Sequence, residues 1–144
     1  MRSKLLAEGT ERTFAVIFET GDEVVSGLKT FAKEHRPRSA HFTAIGAFSD
    51  VVLAYFEVTV KQYRKIPLTE QVEVLTLAGD IAWEEDREPV IHAHVVVGRS
   101  DGSTRGGHLM EAHVRPTLEL ILSESPEHLA RRYDPASGLA LIRL

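Results

Sequence analysis

A single long stretch of this chain carries helical periodicity, and almost everything after it carries the periodicity of strands. Residues 22–35 put Val24, Val25, Leu28, Phe31 and Ala32 on one face at three-four spacing. Thr20 precedes them with Glu23 three residues later, the spacing of a capping box, and Pro37 stops the segment. Before it, residues 12–19 (RTFAVIFE) alternate as a largely buried strand. After it, residues 39–49 and 51–60 are rich in β-branched and aromatic side chains, with Ser49-Asp50 offering a turn between them. KQYRKIPLTE carries charge and a proline, which suits an edge or a connection. QVEVLTLAGDIAWEEDRE (71–88) alternates through Val72, Val74 and Leu75–Leu77, with Gly79 as a bulge or tight turn, and residues 89–98, 115–124 and 138–144 read as further strands. Asp101-Gly102 lies in a turn by composition, and Ser125-Pro126 starts a short late helix that includes His128.

Helices do not alternate with strands, so an α+β fold fits better than a doubly wound parallel sheet. The expectation is a mostly antiparallel sheet of about seven strands with one main helix and a short second helix. The 144 residues suit one domain, 1–144, large enough to bury a core unaided. No run has the length and apolarity of a signal peptide or a transmembrane span, which points to the cytoplasm and away from a membrane partner.

Composition then narrows the chemistry. The chain has no cysteine, so thiol catalysis, disulfides and cysteine-held zinc are excluded, and any metal must be held by histidine or carboxylate. A net charge of −4 gives no basic excess of the kind phosphate-neutralising proteins use. Phosphate-cradling, dinucleotide-binding and nucleophile-elbow motifs are absent from the sequence.

The histidines are the exception to this blandness. Residues 89–114 hold His92, His94, His108 and His113. In a strand, residues two apart share a face, so His92 and His94 present two imidazoles side by side. Two such ligands need a third from a neighbouring strand or turn, and three histidines around zinc leave a position open for water. His108 is that third candidate, since the turn at 100–103 reverses the chain and Gly106-Gly107 allows close backbone approach. The competing reading is a pair of hydrogen-bonded or half-exposed histidines.

The remaining ionisable residues read more plainly. His113 falls on the opposite parity from His108 and reads as a polar rim residue. His35 suits a helix C-terminus, His41 could face either way, and His128 reads as surface. Glu111 and Glu119 are the nearest carboxylates in sequence. Glu119, inside an apolar strand, either faces solvent or serves as partner to a histidine or as general base to a metal-bound water. Glu84-Glu85-Asp86 reads as an acidic hairpin tip, and Trp83 as a packing residue or interface anchor.

TGDEVVSGLKTFAKEH, HFTAIGAF, VEVLTLAGDIAW, PVIHAHVVVGRSDGSTRGGHL and RPTLELIL, in this order, resemble the PPC domain family (plants and prokaryotes conserved), which in plants accompanies AT-hook DNA-binding motifs. The resemblance implies an antiparallel α+β domain, a homotrimer, and a metal set, zinc expected, at His92, His94 and His108. It also implies association with DNA or protein partners, although this chain lacks an Arg-Gly-Arg-Pro core and a basic tail; Arg36-Pro37-Arg38 is its nearest fragment. The function expected is a homotrimeric binding module with a three-histidine metal site. A metal-dependent hydrolase or a small-ligand-binding protein built on the same histidines is the alternative.

Overall fold

A computed structural model of the chain describes residues 1–84, 88–127 and 129–143. Among these lie β1 (Arg2–Ala7), β2 (Thr13–Glu19), α1 (Val24–His35), β3 (Ala40–Glu57), β4 (Gln62–Leu68), β5 (Val72–Trp83), β6 (Pro89–Gly98), β7 (Thr104–Glu124), β8 (Ala130–Asp134) and β9 (Leu139–Arg143). The α+β expectation holds, with one helix and nine strands among the described residues. No helix among them is long and apolar enough to cross a membrane.

The strands form one sheet, antiparallel throughout except where Trp83 meets Ala130. β3 pairs with β5 and with β7, and β6 bridges β5 to β7, so these four strands close on one another. Leu53, Leu77, Val95, Val97 and Leu109 point inside and are buried. Alternation accounts for this directly: Ala93, Val95 and Val97 go inward, which sends His92, His94 and Val96 to the other face. α1 lays Val24, Leu28, Phe31 and Ala32 on the same core, with Phe31 edge-on to Phe14 at 5.1 Å.

Four local expectations change. The helix is capped by Glu23, not Thr20: the Glu23 carboxylate accepts from the amides of Val25 and Ser26, while the Thr20 hydroxyl donates to the Pro116 carbonyl. Ser49-Asp50 is no turn but the middle of β3, where register shifts kink the ladder against β7 and the Ser49 hydroxyl binds Asp50. Gly79 is likewise no turn. It lies inside β5, paired with Phe42 on one side and Ala93 on the other, and the space there admits only glycine, since a Cβ would sit 2.5 Å from the His92 carbonyl and from the Phe42 ring. The late helix is absent from the described residues 125–127, and β8 follows instead; His128, Glu85 and Asp86 lie outside the described residues.

The strand count differs from about seven for related reasons. Residues 39–49 and 51–60 belong largely to one long strand, and 115–124 is the second half of β7. β1 and β8 went unanticipated. β1 is exposed along its whole length and so shows no burial alternation.

Candidate metal centre

β6 supplies His92 and His94 from one face, and the β6–β7 ladder sets His108 directly opposite His94. The ring centroids stand 5.1 Å apart for His92 and His94, 5.4 Å for His92 and His108, and 5.5 Å for His94 and His108. One ring nitrogen from each lies within 4.8 Å of the others. A tetrahedral zinc site spaces its ligand nitrogens by roughly 3.3 Å, so modest side-chain rotation closes the set.

Backbone packing makes that approach possible. A Cβ at Gly107 would lie 2.7 Å from the Ala54 carbonyl oxygen, and Ala54 faces His108 across the β3–β7 ladder. Any side chain at 107 would push β7 away from β3 just where His108 must sit. Tyr63 of β4 stacks on His108 with centroids 4.7 Å apart, and Phe56 meets Tyr63 at 5.0 Å. Together with Ala54, Tyr55 and Leu139 these residues wall a cavity of about 450 Å³ that opens on the three imidazoles.

Electrostatics favour neutral rings. Burial, then the nearby His92 and His94, brings His108 down from 6.5 to about 4. Burial and then His92 lower His94 as well. Both are therefore unprotonated at neutral pH, the form that binds metal. The Nδ1 atom of His108 is buried and has no hydrogen-bond partner. A neutral imidazole with an orphaned nitrogen, beside two more rings, fits a transition metal better than it fits a satisfied core histidine.

Behind His92 stands Asp80, directly opposite it on β5, with Oδ2 3.6 Å from His92 Nδ1. Burial pushes the Asp80 carboxyl up, but His92 and Arg131 outweigh it and hold the group below its ordinary value. Arg131 donates from Nη2 to Asp80 Oδ1 at 2.7 Å.

The other candidates fall elsewhere. His113 binds Asp50 through Nδ1 at 2.8 Å, away from the three-ring cluster. Glu111 is exposed, and Glu119 is exposed between Ile17 and Ile45, so neither backs the three-ring cluster. His41 is exposed opposite Asp80. His35 packs its ring against Phe14 and Phe31. Trp83 is a packing residue whose indole donates to the Pro37 carbonyl. The sequence reading missed Asp80, Tyr63 and Arg131. Asp80 left a signal, an acid inside an apolar alternation; Tyr63 and Arg131 left none, because their approach depends on how β4 and β8 fold back.

Comparison with known proteins bears on the same residues. Residues 6–126 match the family model of the Plants and Prokaryotes Conserved (PCC) domain. The chain is 30% identical over 141 residues to the bifunctional protein GlmU of Synechococcus sp. (strain JA-3-3Ab); that match covers 95% of this chain and spans only 21% of that protein. Among solved structures, a plant- and prokaryote-conserved protein of Pyrococcus horikoshii is 32% identical, with a TM-score of 0.86 and 92% of each chain covered. A metal-containing protein of Archaeoglobus fulgidus is 30% identical, with a TM-score of 0.84, covering 100% of this chain and 99% of its own. A proposed DNA-binding protein of Bacteroides thetaiotaomicron is 28% identical, with a TM-score of 0.87, covering 98% and 96%.

Proposed function

The chain belongs to the Plants and Prokaryotes Conserved domain family, and from that premise we propose that it is a homotrimeric, DNA-associated binding module whose His92, His94 and His108 hold one divalent transition metal, zinc first among them. The observation that carries the metal reading is the three-imidazole cluster itself, with one ring nitrogen of each within 4.8 Å of the others, and His108 also keeps a buried Nδ1 without a hydrogen-bond partner. When bound, such a metal supplies Lewis acidity at a position open to the cavity. The chain's own residues hold His94 and His108 neutral, brace His108 against Tyr63 and present a largely apolar wall to whatever enters.

Elemental analysis of protein purified without chelator tests this. About one transition metal per chain is expected, lost in His92→Ala and in His94→Ala, and a metal-free wild type sinks the reading. The trimer is supported by Ile45 and Ile121, exposed to 61% and 48% on the sheet face turned from the core. The association with DNA is supported by similarity to proteins proposed to bind it. Because the chain carries a net charge of −4, direct contact requires a local basic face, and its affinity falls steeply with added salt. A single domain spanning residues 1–144 and a cytoplasmic location complete the reading.

A second reading, a metal-dependent hydrolase or small-ligand binder, is favoured by the cavity of about 450 Å³ opening on the histidines. No carboxylate other than Asp80 reaches the cluster among the described residues, and Asp80 is tied to Arg131, so a free general base is missing from the set. Turnover of esterase or phosphatase substrates by the metal-loaded protein, lost in His108→Ala, would establish this reading over the first.

A further inference from the structure

The β8–β9 hairpin touches the rest of the sheet sparingly. Among the described residues it joins the ladder at one pair, Trp83 with Ala130, beside a bond from the Trp83 amide to the Leu129 carbonyl. Yet it drives one side chain deep into the molecule. Arg131 is 7% exposed, and its guanidinium connects three elements. Nη1 donates to the Ala140 carbonyl at 2.9 Å within the hairpin. Nη2 donates to Asp80 on β5 and lies 3.3 Å from His92 Nδ1 on β6. From the same hairpin, Leu139 walls the histidine cavity.

This arrangement is poorly explained as stabilisation. Arg131 Nε is buried without a partner, and buried ion pairs seldom outperform apolar side chains of the same volume. It is better explained by orientation. Asp80 faces the Nδ1 side of His92 and can accept its N–H, which frees the Nε2 lone pair for a metal, while Arg131, able only to donate, steadies the Asp80 carboxylate. Partners of this kind behind a metal-binding histidine set its tautomer and its angle. The hairpin also lies beyond residues 6–126, so nothing in the family match itself assigns it a part.

We propose that Arg131 is a positioning residue of the histidine centre: through Asp80 it fixes the ring of His92, and through Ala140 it ties that ring to the β8–β9 hairpin, so that metal occupancy and hairpin closure favour one another. The proposal rests on the metal reading given above. Linkage makes the effect reciprocal, since a hairpin that improves metal affinity must itself be held more firmly when metal is bound.

The test uses the full chain as wild type, Asp80→Asn, Arg131→Met and Arg131→Lys, each checked for native secondary structure by circular dichroism. Zinc affinity is read by competition with a chromophoric chelator, ligand geometry by the cobalt(II) absorption spectrum, and hairpin closure by amide exchange across residues 130–143. Wild type is expected to bind zinc and to exchange more slowly in the hairpin once zinc is present. Asp80→Asn and Arg131→Met are expected to bind about 10–100-fold more weakly, with an altered cobalt spectrum and without the zinc-dependent slowing. Arg131→Lys, which keeps the charge beside Asp80 but not the fork, recovers part of the affinity. Asp80→Asn is nearly isosteric and serves where Arg131→Met fails to fold. Variants that bind as tightly as wild type, or a hairpin indifferent to zinc, overturn the positioning role and leave the metal centre standing. A wild type that takes up neither ion overturns both, and that measurement separates the two failures.

Discussion

His108 and His113 lie on one strand, five residues apart, and their surroundings drive them in opposite directions. The hydrogen bond to Asp50 raises His113 above its ordinary 6.5, while burial takes His108 down to about 4. The same bond lowers Asp50. Titration of the metal-free protein followed by histidine NMR should therefore give a midpoint above 6.5 for His113 and one near 4 for His108. The two differ in their consequences for stability. The charged His113–Asp50 pair contributes fully below the unfolded pKa of histidine and fades as pH rises through the raised value of His113. On the acid side it fades as pH falls through the lowered value of Asp50. His108 acts only in acid: between 6.5 and about 4 the unfolded chain takes a proton that the folded chain refuses, so stability drops as pH falls through that window. Coincident midpoints for the two rings would refute their different environments.

At the scale of elements, the β6–β7 hairpin is the unit that matters, and Gly107 is its tightest point. Gly107→Ala should cost about 1–3 kcal/mol in a denaturant melt, because the new methyl meets the Ala54 carbonyl rather than a side chain that can turn aside. Gly106→Ala should cost less, since its nearest neighbour would be the Val95 carbonyl at 3.2 Å. Equal losses would mean that the close approach of β7 to β3 is not the constraint. This hairpin was also the part of the molecule most legible from sequence. Parity alone paired His92 with His94, and the glycines before His108 marked where backbones meet. What escaped was anything set by long-range pairing. The bend at Ser49-Asp50 has turn composition but is spent on a bulge, because β3 keeps its pairing with β7 on both sides of it, from Ala40 to Ala54. Thr20 has cap chemistry, but its hydroxyl goes to Pro116, and Glu23 caps the helix instead. Burial would push the Glu23 carboxyl up, yet the amides of Ser26, Val25 and Ala112 hold it below its ordinary value, so it stays an anion at the positive end of the helix.

For the whole molecule, the exposed apolar residues on the sheet face turned from the core are the feature with the largest consequence. Ile121 lies beside Ala15 and Thr43, and Ile45 lies diagonally across the same face. Sedimentation should return a mass three times 16.0 kDa for wild type, and Ile121→Asp should reduce it by placing a charge in an apolar contact. A wild type sedimenting as a single chain would remove the trimer from the reading. The histidine cluster makes a different demand on the molecule, one that concerns its tolerance of change. His94 faces His108 because residues 94–98 pair with 104–108 rung by rung, and the tip of the loop between them, Asp101-Gly102, lies beyond those rungs. Its Arg99 and Ser103 close the hairpin with their own backbone bond. The loop is thus a splice point: a fluorophore-bearing peptide or an affinity tag inserted at Asp101-Gly102 would extend outward from the ladder while leaving the three imidazoles in register, which makes this the natural place to attach a reporter of metal uptake.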